Sequence, residues 1–162
     1  ELYPQSGGRP IDGVLTVDLP PEEGEGLLPA LREARLAPIF LVAPTTTDRR
    51  MAWICEQAEG FVYYVSLKGV TGAASLDLEA VGERLTVVRG LTRLPVGVGF
   101  GISGPEQAAA VAAIADAVVV GSTLVKTIAG GVSGTLPQQI EAQVRALRAA
   151  MDEAPRAGGI AP

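Results

Sequence analysis

The stretch "LPVGVGFGISGPEQAAAVAAIADAVVVGS", Leu94 to Ser122, decides how the chain is read. It opens with an apolar run, Leu94 to Gly101, that carries glycine at positions 97, 99 and 101. An alanine-rich helical segment follows, to Ala115, and Ser103 with Glu106 has the S-x-x-E spacing of a capping box at its start. A second apolar run spans Asp116 to Ser122. Both runs are nearly continuous in apolar residues, as expected of strands covered on both faces. Strand, helix, strand with such strands implies a parallel sheet.

The alternation continues outward. Towards the N-terminus lie a strand-like run "FVYYVSLKG" (Phe61 to Gly69) and a helical pattern of Leu78, Val81, Leu85 and Val88. Before them come "APIFLVAP" (Ala37 to Pro44) and a helix that starts at Thr47 or Asp48 and stops at Gly60. The first unit is "DGVLTVDLP" (Asp12 to Pro20) with a helix over Glu22 to Arg35, its face formed by Leu27, Leu28 and Leu31. Towards the C-terminus, a short helix "STLVKTIAGG" (Ser122 to Gly131) precedes a long one with Ile140, Val144, Leu147 and Met151 on one stripe. Residues 1–10, "ELYPQSGGRP", have no periodicity and read as a loop, linker or junction, leaving 11–162 as one βα domain. Five such units suit either a doubly wound sheet or part of a (β/α)8 barrel.

Composition narrows the chemistry. The chain has 162 residues, 48% of them hydrophobic, enough for a sizeable core and too many for disorder. Aromatics are 4% and the net charge is −5, so neither a base-stacking surface nor a basic footprint for nucleic acid is present. No apolar run reaches membrane-spanning length, and no signal peptide pattern precedes the first strand. The one cysteine, Cys55, reads as a small buried hydrophobe, in keeping with a reducing compartment such as the cytoplasm. The absence of histidine removes His-based triads and most catalytic zinc sites. Acid–base chemistry must come from carboxylates, lysine or tyrosine, and no metal is expected.

The strand ends carry the functional signal. "GFGISGPEQ" and "VGSTLVK" each place glycine and a small hydroxyl residue just before a helix. Glycine lets a backbone approach an oxyanion, and a helix start offers free N–H groups and the positive end of a dipole. Consecutive loops of this kind after the last two strands of a barrel are a recurrent phosphate cradle. The spacing is not that of a dinucleotide fingerprint, since no G-x-G-x-x-G occurs. A third loop, "SLKGVTGAASLD" (Ser66 to Asp77), has glycines that suit either a lid closing on substrate or a plain flexible loop. Lys68 within it reads as a solvated loop lysine, and the pair Glu22 and Glu23 as the acidic first turn of a helix.

Five segments together resemble the tryptophan synthase alpha subunit family: "DGVLTVDLPPEE" (Asp12 to Glu23), "APIFLVAPTTTDRR" (Ala37 to Arg50), "YYVSLKGVTGA" (Tyr63 to Ala73), "VGFGISGPEQ" (Val98 to Gln107) and "DAVVVGSTLVK" (Asp116 to Lys126). They occur in the family's order over roughly Ile11 to Ala154. The resemblance implies a TIM barrel, here an incomplete one of about five parallel βα units that match the family's fourth through eighth. It implies a lyase of tryptophan biosynthesis that cleaves indole-3-glycerol phosphate by a retro-aldol reaction into indole and glyceraldehyde 3-phosphate. The partner is then a beta subunit, which alone holds pyridoxal phosphate. By the same resemblance Gly101, Gly121 and Ser122 hold the substrate phosphate, joined by Gly72 of the mobile loop. Thr71 helps to order the site on closure, Tyr63 and Phe100 line it, and Asp18 contacts the beta subunit and relays signals. The family's catalytic glutamate and aspartate belong to the first three strands, which these residues do not include, so the chain is expected to be inactive alone. The alternatives are a non-catalytic phosphate-binding half barrel and another phosphate-sugar barrel enzyme. Open sheet edges further lead one to expect self-association.

Overall fold

The computed structural model describes residues 11–17, 19–66, 77–99, 101–131 and 134–155. The strands are β1 (Gly13–Leu15), β2 (Ala37–Val42), β3 (Val62–Val65), β4 (Val96–Gly99) and β5 (Ala117–Val119). The helices are α1 (Leu27–Glu33), α2 (Asp48–Gln57), α3 (Leu78–Leu91), α4 (Pro105–Ala112), α5 (Ser122–Gly130) and α6 (Leu136–Glu153). All four strand pairs are parallel and the order is β1-β2-β3-β4-β5. A doubly wound sheet reverses its strand order at a switch point. This sheet never does, so of the two architectures open to the sequence it is the barrel type, as a half-barrel of five strands.

The register sorts the side chains into two layers. Phe40, Val42, Val62, Tyr64, Val96 and Val98 are buried under the helices. Against them pack Met51 and Ile54 of α2, Val81, Leu85 and Val88 of α3, Ala108 and Val111 of α4 and Leu147 of α6. The face on the other side carries Leu15, Ile39, Leu41, Tyr63, Val65 and Val119, and these are half-buried or exposed. Cys55 lies in the helix layer as a hydrophobe, and burial pushes its thiol up from its ordinary range. Burial also raises the phenol of Tyr64, with Arg84 beside it acting in the opposite sense.

Arg84 shows how a helix fixes a neighbouring loop. From α3 its guanidinium donates to the Thr46 carbonyl at 2.9 Å and pairs with Asp48 at 3.0 Å, tying down the start of α2. Asp116 does the equivalent at the other end of the strands. Its Oδ2 accepts from the Val96 amide at 2.9 Å and so sets β4 beside β5.

Element positions follow the sequence pattern, with informative departures. The strands are shorter than the apolar runs: β2 ends at Val42 within the run to Pro44, and β5 ends at Val119 within the run to Ser122. The helix expected over Glu22 to Arg35 is split into a 3-10 turn, Pro21–Glu23, and α1. Gly24 and Gly26 separate the two, and Glu22 pairs with Arg50 instead of starting a long helix. Thr47 caps α2 as expected, accepting from the Arg50 amide. That helix ends at Gln57, and Gly60 (φ 74°) makes the turn into β3. The Ser103–Glu106 capping box does not form. Pro105 starts α4 one residue later, so Gly104 is the N-cap and the third helical position falls to Gln107. The Gln107 side chain accepts from both the amide and the hydroxyl of Ser103 at 2.8 Å.

The strand glycines have a packing cause. A Cβ on Gly99 would lie 2.7 Å from Cε2 of Tyr63 and 2.8 Å from Cβ of Val119. On Gly97 it would press on the Phe61 ring at 3.3 Å. Neither glycine marks a bulge, since both stay in register with β3 and β5. They clear space for two aromatic rings of the neighbouring strand. Of Gly97, Gly99 and Gly101, only Gly101, at φ 75°, takes the left-handed conformation.

Gly99→Ala is therefore expected to destabilise the fold by about 1–3 kcal/mol, as overpacking of a filled core does. Gly82→Ala, inside α3 with nothing within 4 Å of the added Cβ, is expected to stabilise it by about 0.4–1 kcal/mol. Urea unfolding of the two variants beside the parent checks both, and equal stability of Gly99→Ala and parent refutes the packing explanation.

Candidate functional site

The C-terminal ends of β4 and β5 are built to lie together. β4 ends at Gly99, and its carbonyl accepts from the amide of Ser66 at 3.0 Å and from its buried hydroxyl at 2.9 Å. This clamp fixes where the chain leaves the strand. Gly101 then turns with positive φ and delivers buried Ile102 to the loop before α4. β5 ends at Val119, and α5 begins at Ser122 with Gly121 as its N-cap. The Thr123 hydroxyl donates to the Ile102 carbonyl at 3.2 Å, so the start of α5 is bonded to the turn after β4. The two glycine turns singled out in the sequence are thus joined in space.

The start of α5 keeps its donors available. The Val125 amide bonds to the Gly121 carbonyl at 3.1 Å, the first bond of the helix. The amides ahead of it have no partner within the helix, as at any helix start. No side chain caps them, and Gly121 and Ser122 are exposed. A Cβ on Gly121 would meet nothing within 4 Å, so open space lies on that side of the backbone. The dipole places partial positive charge here. The helix itself is braced by Thr127, whose hydroxyl contacts the Thr123 carbonyl at 3.2 Å and Gln143 of α6 at 2.9 Å. A backbone of this form, rigid and rich in free N–H groups, can take a phosphate or a similar anion.

Tyr63 stands on β3 with its ring across Gly99, one strand from these turns. Burial pushes its phenol up from the ordinary range, so it stays a neutral hydroxyl at physiological pH. Four other expected site residues, Asp18, Thr71, Gly72 and Phe100, lie outside the described residues. Val17 and Leu19, on either side of Asp18 in sequence, line a cleft of about 330 Å³ with Phe40, Thr46 and Arg50 at the ends of β1 and β2.

Sequence reasoning missed Thr123 and Ser66. Both are hydroxyl residues at strand or helix ends, where side chains commonly bond to nearby backbone. Their partners are 21 and 33 residues away, which no local spacing reveals.

The arrangement defines a (β/α)8-type half-barrel whose candidate site sits at the C-terminal ends of its strands. The family model described as "Tryptophan synthase alpha chain" matches residues 2–157, and the chain belongs to that family. It is 60% identical over 119 residues to the tryptophan synthase alpha chain of Thioalkalivibrio sulfidiphilus, covering 74% of this chain and 45% of the relative. To that of Alkalilimnicola ehrlichii it is 53% identical over 147 residues, covering 91% and 52%. Among solved structures, Mycobacterium tuberculosis tryptophan synthase superposes with a TM-score of 0.74 at 42% identity, over 90% of this chain and 52% of the other. Tryptophan synthase subunit alpha from Legionella pneumophila superposes with a TM-score of 0.73 at 35% identity, over 87% and 52%. The chain therefore spans about half the length of the relatives that it matches.

If the open space beside Gly121 receives an anion, Gly121→Val fills it. Glycerol 3-phosphate affinity is expected to fall at least about tenfold, while stability changes by no more than about 1 kcal/mol, the scale of an N-cap replacement. Calorimetric titration of parent and variant measures this. Unchanged affinity in a folded variant puts the anion elsewhere.

Proposed function

We propose that this chain is the phosphate-gripping half of a tryptophan synthase alpha-type lyase. The reaction is retro-aldol cleavage of indole-3-glycerol phosphate to indole and glyceraldehyde 3-phosphate, in cytoplasmic tryptophan biosynthesis. Family membership supports the reaction class. The observation that carries the reading is the Thr123–Ile102 bond, which gathers Gly101, Gly121 and Ser122 into one corner where a substrate phosphate would fit. Gly72 would add its backbone from the loop after β3, and Thr71 would order the site as that loop closes. Tyr63 and Phe100 would flank the indole and glycerol portions as neutral, water-excluding walls.

The chemistry divides into binding and proton transfer. The bond between the indole ring carbon and the hydroxyl-bearing glycerol carbon breaks. The hydroxyl loses its proton as the aldehyde forms, and the electron pair left on the ring carbon is capped by a proton. One group must take the first proton and another must supply the second. Each such role typically contributes about 100- to 10,000-fold. The residues in the proposed phosphate corner are backbone amides and a serine hydroxyl, which orient a phosphate and transfer no proton. Binding that is equal in ground and transition states leaves the chemical step no faster. The chain alone is thus assigned binding without family-like turnover.

For a partner we assign the beta subunit, with pyridoxal phosphate confined to it. The Asp18 loop would meet it, because the neighbours Val17 and Leu19 border a cleft at the strand ends and Val17 is 69% exposed. No helix of the described residues is long and apolar enough to cross a membrane.

The assay incubates the purified chain with indole-3-glycerol phosphate, with and without a beta subunit, and follows indole or tryptophan. The expected result is binding that glycerol 3-phosphate displaces, with no indole release. Turnover within about tenfold of the complete Alkalilimnicola ehrlichii alpha chain would show that acid and base are both present. Failure of the substrate to bind would remove the phosphate-gripping role itself.

A further inference from the structure

The β3–β4 ladder is complete without a side chain. It opens with the Val62 amide on the Pro95 carbonyl at 3.0 Å and closes with the Ser66 amide on the Gly99 carbonyl at 3.0 Å. The Ser66 hydroxyl adds a second bond to that same carbonyl, at 2.9 Å. Ser66 is 2% exposed, and among the described residues it is the only serine, threonine, glutamine or charged residue so deeply buried. A hydroxyl taken out of water needs a hydrogen bond in return. Here that bond falls on a carbonyl that the ladder has already satisfied.

The segment after Gly99 gives the second bond a use. Gly99 and Gly101 have no side chains to restrict their backbone, so the chain between β4 and α4 can swing at both. Three side chains tie it down. Ser66 holds it at Gly99, Thr123 of α5 at Ile102 (3.2 Å), and Gln107 of α4 at Ser103 (2.8 Å). Ser66 is the tie ahead of the Gly101 turn, and Thr123 is the tie beyond it. We propose that Ser66 is a positioning residue for anion binding. Its hydroxyl fixes the Gly99 carbonyl, and together with Thr123 it sets the Gly101 turn in its receiving form before an anion arrives. The role rests on the reading of this corner as the phosphate site. Ordering already present in the free protein does not count against binding. The two hydroxyls act on one short segment from opposite ends, so removing both costs less affinity than the two losses multiplied. A hydroxyl that only completed the core would change stability and leave affinity alone.

Glycerol 3-phosphate is titrated calorimetrically into the 162-residue chain and its variants Ser66→Ala, Thr123→Val, the two combined, and Val88→Ala. Val88 is fully buried beside Arg89, at the far end of the strands, where Arg89 pairs with Asp116 at 3.5 Å. Val88→Ala is expected to lower the urea midpoint and to keep the parent affinity. Ser66→Ala and Thr123→Val are each expected to weaken binding about three- to tenfold, the scale of one hydrogen bond. The double variant is expected to lose less than the product of the two. Ser66→Cys, similar in size with a weaker donor, is expected to bind between Ser66→Ala and the parent, and it replaces Ser66→Ala if that variant does not fold. In the free protein, the amide resonances of Gly101 and Ile102 are expected to move in Ser66→Ala and to hold in Val88→Ala. The positioning role is overturned by parent affinity in folded Ser66→Ala, by unmoved Gly101 and Ile102 resonances, or by a double variant whose loss equals the product. It also falls if Val88→Ala loses affinity in step with its stability. A parent that does not bind, or a Gly121→Val variant that binds like the parent, removes the phosphate reading and this role with it. A parent that binds beside an unchanged Ser66→Ala removes this role alone.

Discussion

The end of β4 is held from two sides, and the rest of the site depends on that hold. The Tyr63 ring occupies the space that a Gly99 side chain would need, and the Gly99 carbonyl accepts two hydrogen bonds from Ser66. Both contacts come from β3 and its continuation, so the β3–β4 register and the exit of β4 are fixed together. Gly101 can then turn where it does, and Ile102 arrives where Thr123 can bond to it. A side chain on Gly99 would push the ring or the strand aside and shift everything downstream.

The fold was largely legible because burial of a parallel sheet leaves a blunt signature. Runs such as "APIFLVAP" are apolar on both faces only when both faces meet other residues, and the helical stripes with Val81, Leu85 and Val88 are buried as their spacing predicts. Strand order was not legible from periodicity, since a doubly wound sheet and a barrel need the same units. It took the sequential pairing to separate them. Helix starts were read less well where glycine and proline compete with a capping pattern. Pro105 fixes the start of α4 by its own backbone angle, and the serine two residues before it loses the cap to Gly104.

For the candidate site, the glycine turns were visible, but what lies beside the glycines within the strand was not: Gly97 and Gly99 leave room for Phe61 and Tyr63. The sequence shows a missing side chain and cannot show what fills its place. Gly101 and Gly121 differ because they lie beyond the strand ends. There one has a positive φ, and the other has open space where its side chain would be. Position relative to the strand end, more than the residue type, separates a glycine that packs against a ring from one that leaves its backbone open here.

The two layers of the half-barrel also differ in what they require. The helix-side layer, from Phe40 and Val42 across to Val96 and Val98, is closed by this chain's own helices, and its residues are almost fully buried. The inner layer is supplied by alternating residues of the same strands, yet Leu41, Tyr63 and Val65 remain half-buried. A barrel interior is filled by side chains from strands all around the ring, so five strands fill it only in part. The outer layer is local in sequence, since each helix packs on strands near it in the chain. The inner layer is global. The turns at Gly101 and Gly121 are positioned by the β3–β4 clamp and the Thr123 bond, contacts that this chain makes by itself. The corner proposed to take an anion is therefore set by local structure, whereas groups that must converge on one substrate atom from opposite sides of a ring depend on closing it.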